Sequence, residues 1–308
     1  QIVIEESFDH KTYMFYAEKD GQIVGVLPLG HIKSMLFGNN LMSMPFTVYG
    51  GAIADTDEIR QQLEQRACEL AEHLSVDSLE LRERRINNPD WPTKELYVTF
   101  RKEISDDDEE NMRAIPRKQR AMVRKGIKAE LKSEVDENID RFYEVYSHSV
   151  WRLGTPVFSR KYFQTLIDVF KEHCDIVTIT KGDELVASVM SFYFRDQVLP
   201  YYGGGMDNAR KLAGNDFMYW EVMRRAAAKG AKIFDFGRSK KETGAYSFKK
   251  NWGFAPEALT YQYYLVKADK IPQINPNNPK YKILINIWKK MPVALSRSLG
   301  PMISKNIG

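Results

Sequence analysis

The feature that most constrains the fold of this chain is an internal repeat. The segment PFTVYGG at 45–51 has a counterpart in LPYYGGG at 199–205, and repeated order of this kind indicates a duplicated structural unit. The spacing from the YGG motif to the next strand pattern is 28 residues in one copy and 29 in the other. An amphipathic helical pattern and then an apolar strand pattern follow each motif, at 58–74 and 79–81 and again at 216–229 and 233–236.

Further strand patterns flank each copy. A turn-linked strand precedes each glycine-rich segment, and a strand of alternating apolar and polar residues follows each copy, at 96–104 and 259–266. These patterns predict an α/β (α+β) chain of two tandem domains with mixed central sheets. Two unrelated α/β domains would show a similar order of elements, but equal spacing around a shared YGG motif favours duplication.

The acidic run Asp106–Glu110 predicts the boundary between the domains. We therefore expect a first domain at 1–112 and a second domain at 113–268 that begins with a basic helix. A basic C-terminal extension at 269–308 follows, with a Pro- and Asn-rich linker and then a helix at about 281–290.

The net charge of +4 hides two strongly basic segments. Residues 113–132 contain eight basic residues and one acidic residue, and residues 270–308 contain seven basic residues and no acidic one. The rest of the chain is therefore acidic. This distribution indicates partners that carry phosphate or form a membrane surface, and the acidic body argues against DNA.

The residue content excludes several classes of protein. A hydrophobic fraction of 43% and an aromatic fraction of 12% exclude a disordered chain. Cys68 and Cys174 cannot form a disulfide framework, and no cluster of Cys and His predicts a metal site, so we expect a reduced, cytosolic compartment. No apolar run of about 18 residues predicts a membrane-spanning helix. P-loop, dinucleotide-binding and serine-hydrolase motifs are absent.

The second copy carries most of the candidate site chemistry. Its segment FDFGRSKKETGAYSFKKNWGF at 234–254 places Asp235 in a buried strand that ends at Gly237, where an open α/β sheet tends to bind ligands. A buried Asp costs free energy unless it is paired, and Arg238 or Lys249 is the expected partner. An equally weighted alternative is that Asp235 only anchors a neighbouring loop.

A short helix is predicted near the end of this segment. Phe248 and Trp252 lie one turn apart on its apolar face, and Gly253 is the expected C-cap. Lys249 and Lys250 then project away from that face, as solvated surface lysines usually do. Aromatic residues, a glycine-rich turn and an acidic residue in the same segment nevertheless favour a desolvated Lys249.

Several segments resemble the FemAB family of aminoacyltransferases, namely SVWRLGTPVFSRKYF, LPYYGGG, NDFMYWEVMRRA, FDFGRSKKETGAYSFKKNWGF and NPNNPKYKILINIWKKMP. They are similar in particular to the FemAB-like branch associated with exosortase (PEP-CTERM) loci of exopolysaccharide-producing bacteria. The resemblance covers nearly the whole chain and implies two tandem GNAT-like domains. It also implies that Lys249 stabilises the negative charge developing on an acyl carbonyl, and that Phe248 shapes the acyl pocket.

The resemblance implies an activated acyl donor without specifying it. The acyl-CoA signature of GNAT enzymes is faintly echoed at 210–215, where Gly214 and the expected N-cap Asn215 open a helix whose free N–H groups would hold a diphosphate. Arg117 and Arg120 either grip donor phosphates or belong to a solvated helix face. Acyl-CoA and aminoacyl-tRNA both stay open as donors, and no tightly bound cofactor is expected.

Other candidates follow from the resemblance or from residue type. Tyr246 is a candidate for proton transfer alongside Asp235, although aromatic residues in such positions more often only pack. Of five scattered histidines, His148 alone stays a weak candidate, because it precedes the segment WRLGTP. The candidates for substrate binding are Tyr201, Tyr202, Gly203, Gly204, Arg238, Ser239, Trp151, Arg152 and Thr155.

Together these features predict an acyl- or aminoacyltransferase that acts on an amine or hydroxyl of a cell-envelope or exopolysaccharide-related acceptor. The alternative is a non-catalytic module that binds a glycan or a protein of an export system. We expect a cytoplasmic protein whose basic tail either packs on the body or lies on the inner face of the cytoplasmic membrane.

Overall fold

A computed structural model describes residues 1–34, 37–272 and 279–307, with the backbone alone for 279–283. Most of the predicted Pro- and Asn-rich linker lies outside the described residues. The chain forms two compact units. Unit 1 comprises Gln1–Tyr97, Ala258–Lys282 and Met302–Gly308, and unit 2 comprises Val98–Glu257 and Ile283–Pro301.

The N-terminal third of the chain alternates strands with one long helix. Its elements are α1 (Ile2–Phe8), β1 (Lys11–Lys19), β2 (Gln22–Ser34), β3 (Gly38–Ser43), β4 (Ile53–Ala54), α2 (Asp57–His73), β5 (Ser78–Glu83) and β6 (Thr93–Lys94). Thr56 caps α2 by accepting a hydrogen bond from the Ile59 N–H, which satisfies one of the free donors of the first turn.

The middle of the chain has the same order of elements with additional helices. It contains β7 (Tyr97–Glu103), α3 (Asp108–Ala114), α4 (Arg117–Lys128), β8 (Lys132–Val135), α5 (Asp140–Leu153), α6 (Arg160–Phe170), β9 (Cys174–Lys181), β10 (Glu184–Phe194), β11 (Gln197–Gly205), α7 (Ala209–Leu212), α8 (Gly214–Ala228), β12 (Ile233–Asp235), β13 (Ser239–Lys240), α9 (Gly244–Asn251) and β14 (Pro256–Ala258). The chain ends with β15 (Thr260–Leu265), α10 (Pro279–Lys290) and α11 (Val293–Ser304).

Each unit is built on a mixed sheet, as predicted. The strand order is β1-β2-β3-β5-β15-β6 in unit 1, with β4 beside β2, and β13-β7-β12-β11-β10-β9-β8 in unit 2, with β14 beside β7. One neighbouring pair in each sheet is parallel, β3 with β5 and β11 with β12. These two parallel pairs occupy equivalent places in the repeated order of elements.

The strand that follows each copy pairs in the sheet of the other copy. Strand β7 pairs with β12 and sets Arg101 opposite Asp235, whereas β15 pairs with β5 and sets Tyr263 opposite Glu80. In both sheets the added strand covers an edge that would otherwise leave backbone N–H and C=O groups unpaired. Because of this exchange, the compact units differ from the predicted ranges 1–112 and 113–268 at their ends.

The YGG motifs that indicated the repeat do not occupy equivalent positions. Strand β3 ends at Ser43, and positive φ angles of 47° at Met44 and 67° at Phe46 turn the chain away, so Tyr49–Gly51 lies in a loop. The second motif, Tyr202–Gly204, lies inside β11. The duplication is therefore one of element order and strand pairing, and the shared motif is not structurally equivalent.

The basic helix α4 forms where it was predicted. Val123 is fully buried, whereas Ile127 is 48% exposed and Leu131 follows the helix end. Gly126 faces inward instead, since a Cβ atom there would lie 2.6 Å from the Cβ of Phe217. This glycine lets α4 pack closely on α8.

The C-terminal tail is more helical than predicted, because α11 follows α10 after Pro292. Trp288 is buried, and the Trp151 Nε1–H donates a 2.8 Å hydrogen bond to the Met291 carbonyl. The part of the tail within unit 2 thus packs on that unit. None of the helices in the described ranges is long and apolar enough to cross a bilayer.

Candidate active site

The parallel pair of unit 2 separates close to its start. Strands β11 and β12 are in register only at Gln197↔Ile233 and Val198↔Phe234. Strand β12 is paired with β7 along its whole length, and the Phe236 N–H extends that pairing by donating to the Phe100 carbonyl at 2.9 Å. Strand β11 instead continues to Gly205 beside β10. The carboxyl ends of parallel strands that separate leave a crevice in which α/β sheets commonly bind ligands.

Lys249 lies at the carboxyl end of β12. Its side chain is only 9% exposed, so Lys249 is desolvated, as its neighbours in the segment favoured, and is not a solvated surface lysine. The Nζ donates hydrogen bonds of 2.7, 3.0 and 3.1 Å to the carbonyls of Phe236, Gly237 and Arg238. Burial lowers the pKa of Lys249 to about 8, and the charge of Asp235 partly opposes that shift.

Lys249 is buried because acceptors of the same segment meet its ammonium group. An ammonium group can enter the interior only when acceptors replace its water. Three consecutive carbonyls of the β12–β13 turn supply them here. The neighbouring Lys250 has no such partners and is exposed, as predicted.

Asp235 is 1% exposed and supports the same turn. Its Oδ1 accepts hydrogen bonds from the Gly237 N–H at 2.7 Å and from the Thr99 hydroxyl at 3.1 Å. Its Oδ2 lies 3.2 Å from the Nε of Arg101. Arg101 from β7 is therefore an ion-pair partner of Asp235 that was not predicted, and the Lys249 ammonium is bound by the turn carbonyls. This geometry favours the loop-anchoring role for Asp235.

Aromatic rings line the space beside the separated strands. The ring of Tyr219, on α8, lies 4.9 Å from that of Phe236 and 5.6 Å from that of Phe248. Within the described ranges the Tyr219 hydroxyl makes no hydrogen bond, and it would lie 3.2 Å from a Cβ at Gly203. Burial raises the pKa of Tyr219 to about 12, so this hydroxyl is a proton-bearing donor at neutral pH.

Tyr219 was not predicted as a site residue. Its pattern on α8 is that of any core-facing aromatic, and its position next to β11 depends on the absence of a side chain at Gly203. The only sequence signal available was the coincidence of an aromatic helix with a glycine-rich strand.

The remaining candidates of this segment lie around the same turn. Tyr246 lies in the first turn of α9, where its N–H donates to the capping Thr243 hydroxyl, and its ring packs edge-on against Phe100 at 5.4 Å. Ser239, on β13, is buried, and its Oγ has no hydrogen-bond partner among the described residues. The structure thus brings Lys249, Phe248, Tyr246, Asp235, Arg238 and Ser239 together.

Most of the tyrosines and glycines of β11 pack against neighbouring elements. Tyr202 is buried, its hydroxyl lies 2.6 Å from that of Tyr162, and it sits in a cluster of aromatic rings, with Tyr201 at 4.8 Å between ring centroids. A Cβ at Gly204 would lie 2.5 Å from the Cβ of Ser149 on α5. Gly204 therefore permits close approach of α5, and Gly203 alone borders the Tyr219 hydroxyl.

The segment WRLGTP lies apart from Lys249. Arg152 bridges α5 to the end of β11, with hydrogen bonds of 2.7 Å to Asp207 and 3.3 Å to the Gly205 carbonyl. His148 approaches the same Asp207 carboxylate at 3.4 Å. Trp151 binds the tail through its indole, and Thr155 is exposed beyond the helix end. These contacts organise the far end of β11 and the tail.

The predicted donor-phosphate residues occupy two further places. Helix α8 begins at Gly214 after Ala213, whose φ of 56° joins it directly to α7, so Asn215 lies in the first turn and its prediction as N-cap was wrong. Arg117 is exposed on α4, and Arg120 on the same helix donates to the carbonyls of residues 113 and 115.

Known proteins resemble this chain both in sequence and in structure. The acetyltransferase (GNAT) domain family matches residues 111–250. The chain is similar to the crystal structure of FemX, with a TM-score of 0.66, 14% identity and coverage of 92% of either chain. No curated protein sequence matches it significantly.

Two other solved structures show the same similarity. The lysylphosphatidylglycerol synthetase L-PGS from Bacillus licheniformis has a TM-score of 0.59 at 13% identity, with 94% of this chain and 96% of that chain covered. A tandem GNAT protein from the clavulanic acid biosynthesis pathway has a TM-score of 0.54 at 10% identity, with 85% of each covered. The chain has a FemAB-like tandem GNAT fold. Unit 2 contains the Lys249 turn, and it also contains all of the residues matched by the acetyltransferase family.

Proposed function

We propose that the protein is an acyl- or aminoacyltransferase whose chemistry takes place in unit 2. The observation that carries this proposal is the buried Lys249 ammonium, held by three carbonyls at the carboxyl end of β12 beside the separated strands. The match of residues 111–250 to acetyltransferases supports acyl transfer as the reaction class.

In the proposed reaction, an amine or hydroxyl of the acceptor attacks the carbonyl carbon of an activated acyl group. Negative charge then develops on the carbonyl oxygen. A fixed cation in a site shielded from water stabilises this charge by on the order of 3 kcal/mol, because it needs no reorganisation when the charge appears. Lys249 supplies such a cation, and Phe248 forms part of the apolar wall beside it.

Proton transfer requires a second group. Both carboxylate oxygens of Asp235 are already engaged, Oδ1 with the Gly237 N–H of the turn and with Thr99, and Oδ2 with Arg101 of β7. We therefore propose that Asp235 positions Lys249 through its charge. As the new bond forms, the bond from the acyl carbon to the sulfur or oxygen of the donor breaks, and the proton lost by the acceptor must reach that leaving atom. The hydroxyls of Tyr246 and Tyr219 can relay it, each giving its own proton to the leaving atom while taking the proton of the acceptor.

Acyl-CoA and aminoacyl-tRNA are both retained as donor classes. The first turn of α8, with Gly214 and Asn215, offers backbone N–H groups to a diphosphate, and Arg117 and Arg120 offer guanidinium groups. A cell-envelope or exopolysaccharide-related acceptor is proposed from the sequence resemblance, and so is a role near exosortase loci.

The test is a donor panel with the full chain. Acetyl-CoA, longer acyl-CoAs and charged tRNAs are each incubated with amino-sugar and lipid-linked sugar acceptors, and transfer of labelled acyl groups is measured. We expect transfer from one donor class. Absence of transfer from every donor, together with tight binding of one of the glycans, would instead establish the alternative.

The alternative is a non-catalytic glycan- or protein-binding module with the same fold. One observation favours it: all three hydrogens of the Lys249 ammonium already have acceptors within the protein. In that case Lys249 would only hold the turn, and its replacement would alter stability and leave glycan affinity unchanged.

A further inference from the structure

The exposed face of α4 is strongly basic. Five cationic side chains and Ala121 line one groove of about 580 Å³ on this helix, namely Arg117, Arg120, Arg124, Lys125 and Lys128. No acidic side chain is among the residues that line it. Residues 113–132 as a whole contain a single acidic residue, Glu130.

Most of these cations lack partners among the residues that the structure describes. In the ranges that the structure describes, Arg117, Arg124, Lys125 and Lys128 form no ion pair and no side-chain hydrogen bond, whereas Arg120 is held by two backbone carbonyls. Elsewhere in unit 2 arginines are commonly paired, as Arg141 is with Asp136 and Arg224 with Asp108. A row of like charges without counter-charges is the condition under which an external polyanion binds.

The opposite face of α4 fixes this row in place. Val123 is fully buried, Gly126 packs against Phe217, and Gln119 donates a hydrogen bond to the buried Asp216. The helix therefore cannot rotate to hide its charges. It presents them to the outside as a rigid strip that requires no refolding for binding.

We propose that this strip docks unit 2 on an anionic membrane surface. Clusters of four to eight Lys and Arg on an amphipathic helix are typical of anionic-lipid binding. Ile127 lies between Arg124 and Lys128 in sequence and is 48% exposed. The basic surface therefore also has an apolar side chain that can insert at the boundary between lipid headgroups and acyl chains. The groove contains no aromatic side chain on which the bases of a single-stranded nucleic acid would stack.

This site differs from the membrane contact predicted from the tail. Trp288 of α10 is buried, so the tail uses part of its apolar surface for packing. The strip shares Arg117 and Arg120 with the proposed donor-binding residues. The membrane proposal is therefore tested at Arg124 and Lys128, which have no part in the proposed acyl transfer and lie outside the Lys249 turn.

The experiment is co-sedimentation of the full chain with phosphatidylcholine vesicles, with and without phosphatidylglycerol. The variants are Arg124→Glu/Lys128→Glu in α4 and, as a control with the same change of charge, Lys289→Glu/Lys290→Glu in the tail. We expect the wild type to bind only the phosphatidylglycerol vesicles, and the α4 variant to bind them about tenfold or more weakly. The tail variant should bind within about twofold of the wild type.

Three results would overturn the proposal: no binding of the wild type to anionic vesicles, equal binding by the α4 variant, or a larger loss in the tail variant. Circular dichroism checks folding, and Arg124→Gln/Lys128→Gln provides a milder substitution of the same exposed residues. A parallel titration with uncharged tRNA identifies the rival partner. Binding of tRNA that depends on Arg124 and Lys128, without vesicle binding, would assign the strip to nucleic acid.

Discussion

The two units differ in what lies beyond their parallel pair of strands. In unit 1 the space after β3 and β5 is occupied by the chain's own loop: the Gly50 N–H donates to the Arg82 carbonyl at 2.9 Å, and Arg82 Nη1 donates to the Thr47 carbonyl at 2.8 Å. The Tyr261 hydroxyl holds the same loop through the Val48 carbonyl. In unit 2 strand β11 continues past β12, and the space between them borders Tyr219, Phe236 and Phe248.

This difference supports the proposal that acyl transfer takes place in unit 2 and not in unit 1. Where backbone hydrogen bonds from a loop satisfy the strand ends, a substrate would have to displace them. Where the strand ends are organised by the Lys249 ammonium, a fixed positive charge is left at the crevice. Buried charge is common to both units, but in unit 1 the Arg82–Glu80 pair is internal and neutral overall.

The largest expected effect comes from Lys249 itself. Replacement Lys249→Met should lower turnover on the order of a hundredfold, because it removes a cation that stabilises the developing oxyanion. Lys250→Met is the matched control, since Lys250 is the adjacent residue of α9 and is exposed. Steady-state rates with the active donor measure both variants. Near wild-type turnover in Lys249→Met would mean that Lys249 only stabilises the β12–β13 turn and has no role in the reaction.

A smaller effect is expected where α5 packs on β11. Gly204→Ala should destabilise the protein by about 1–3 kcal/mol, because the added Cβ would lie 2.5 Å from Ser149 and the close packing cannot relax freely. Gly244→Ala is the control, with nothing within 4 Å of its Cβ. Urea unfolding measures both, and equal stability of the two variants would show that β11 and α5 separate easily.

The smallest effect is expected in unit 1. Tyr261→Phe removes the hydrogen bond to the Val48 carbonyl and should cost about 1 kcal/mol of stability while turnover stays unchanged. Faster amide exchange at Gly50 would show a loosened loop. For comparison, Tyr264→Phe removes a hydrogen bond to the exposed Glu72 and should cost less. A loss of turnover in Tyr261→Phe would mean that the loop of unit 1 contributes to the reaction.

Local patterns predicted the elements well but not their partners. The helical periodicities gave α2 and α8 to within about two residues, the ordinary precision of such boundaries, and Gly253 follows the end of α9 with a φ of 81°, as a C-cap glycine does. The exchange of β7 and β15 was not predictable, because an alternating strand pattern shows which face is buried and not which edge it joins.

The candidate site shows the same limit. The segment around Lys249 was identified, yet the burial of its ammonium depends on carbonyls more than ten residues away, and the partner of Asp235 lies on a strand from the other end of unit 2. Tyr219 could be identified only from the structure, in which α8 packs beside Gly203 of β11. Of the residues chosen from the resemblance alone, Trp151 binds the tail and Thr155 is exposed beyond the end of α5.

The most direct test of the central claim is the pH dependence of turnover, because raising the pH removes the charge of Lys249 and leaves its side chain in place. Burial lowers the pKa of Lys249 to about 8, so the amine is protonated and charged below that pH and loses its charge above it. Turnover should therefore be steady below pH 8 and fall about tenfold per pH unit above it, and Lys249→Arg should move that fall to higher pH. A wild-type profile that stays flat well above pH 8 would contradict the account.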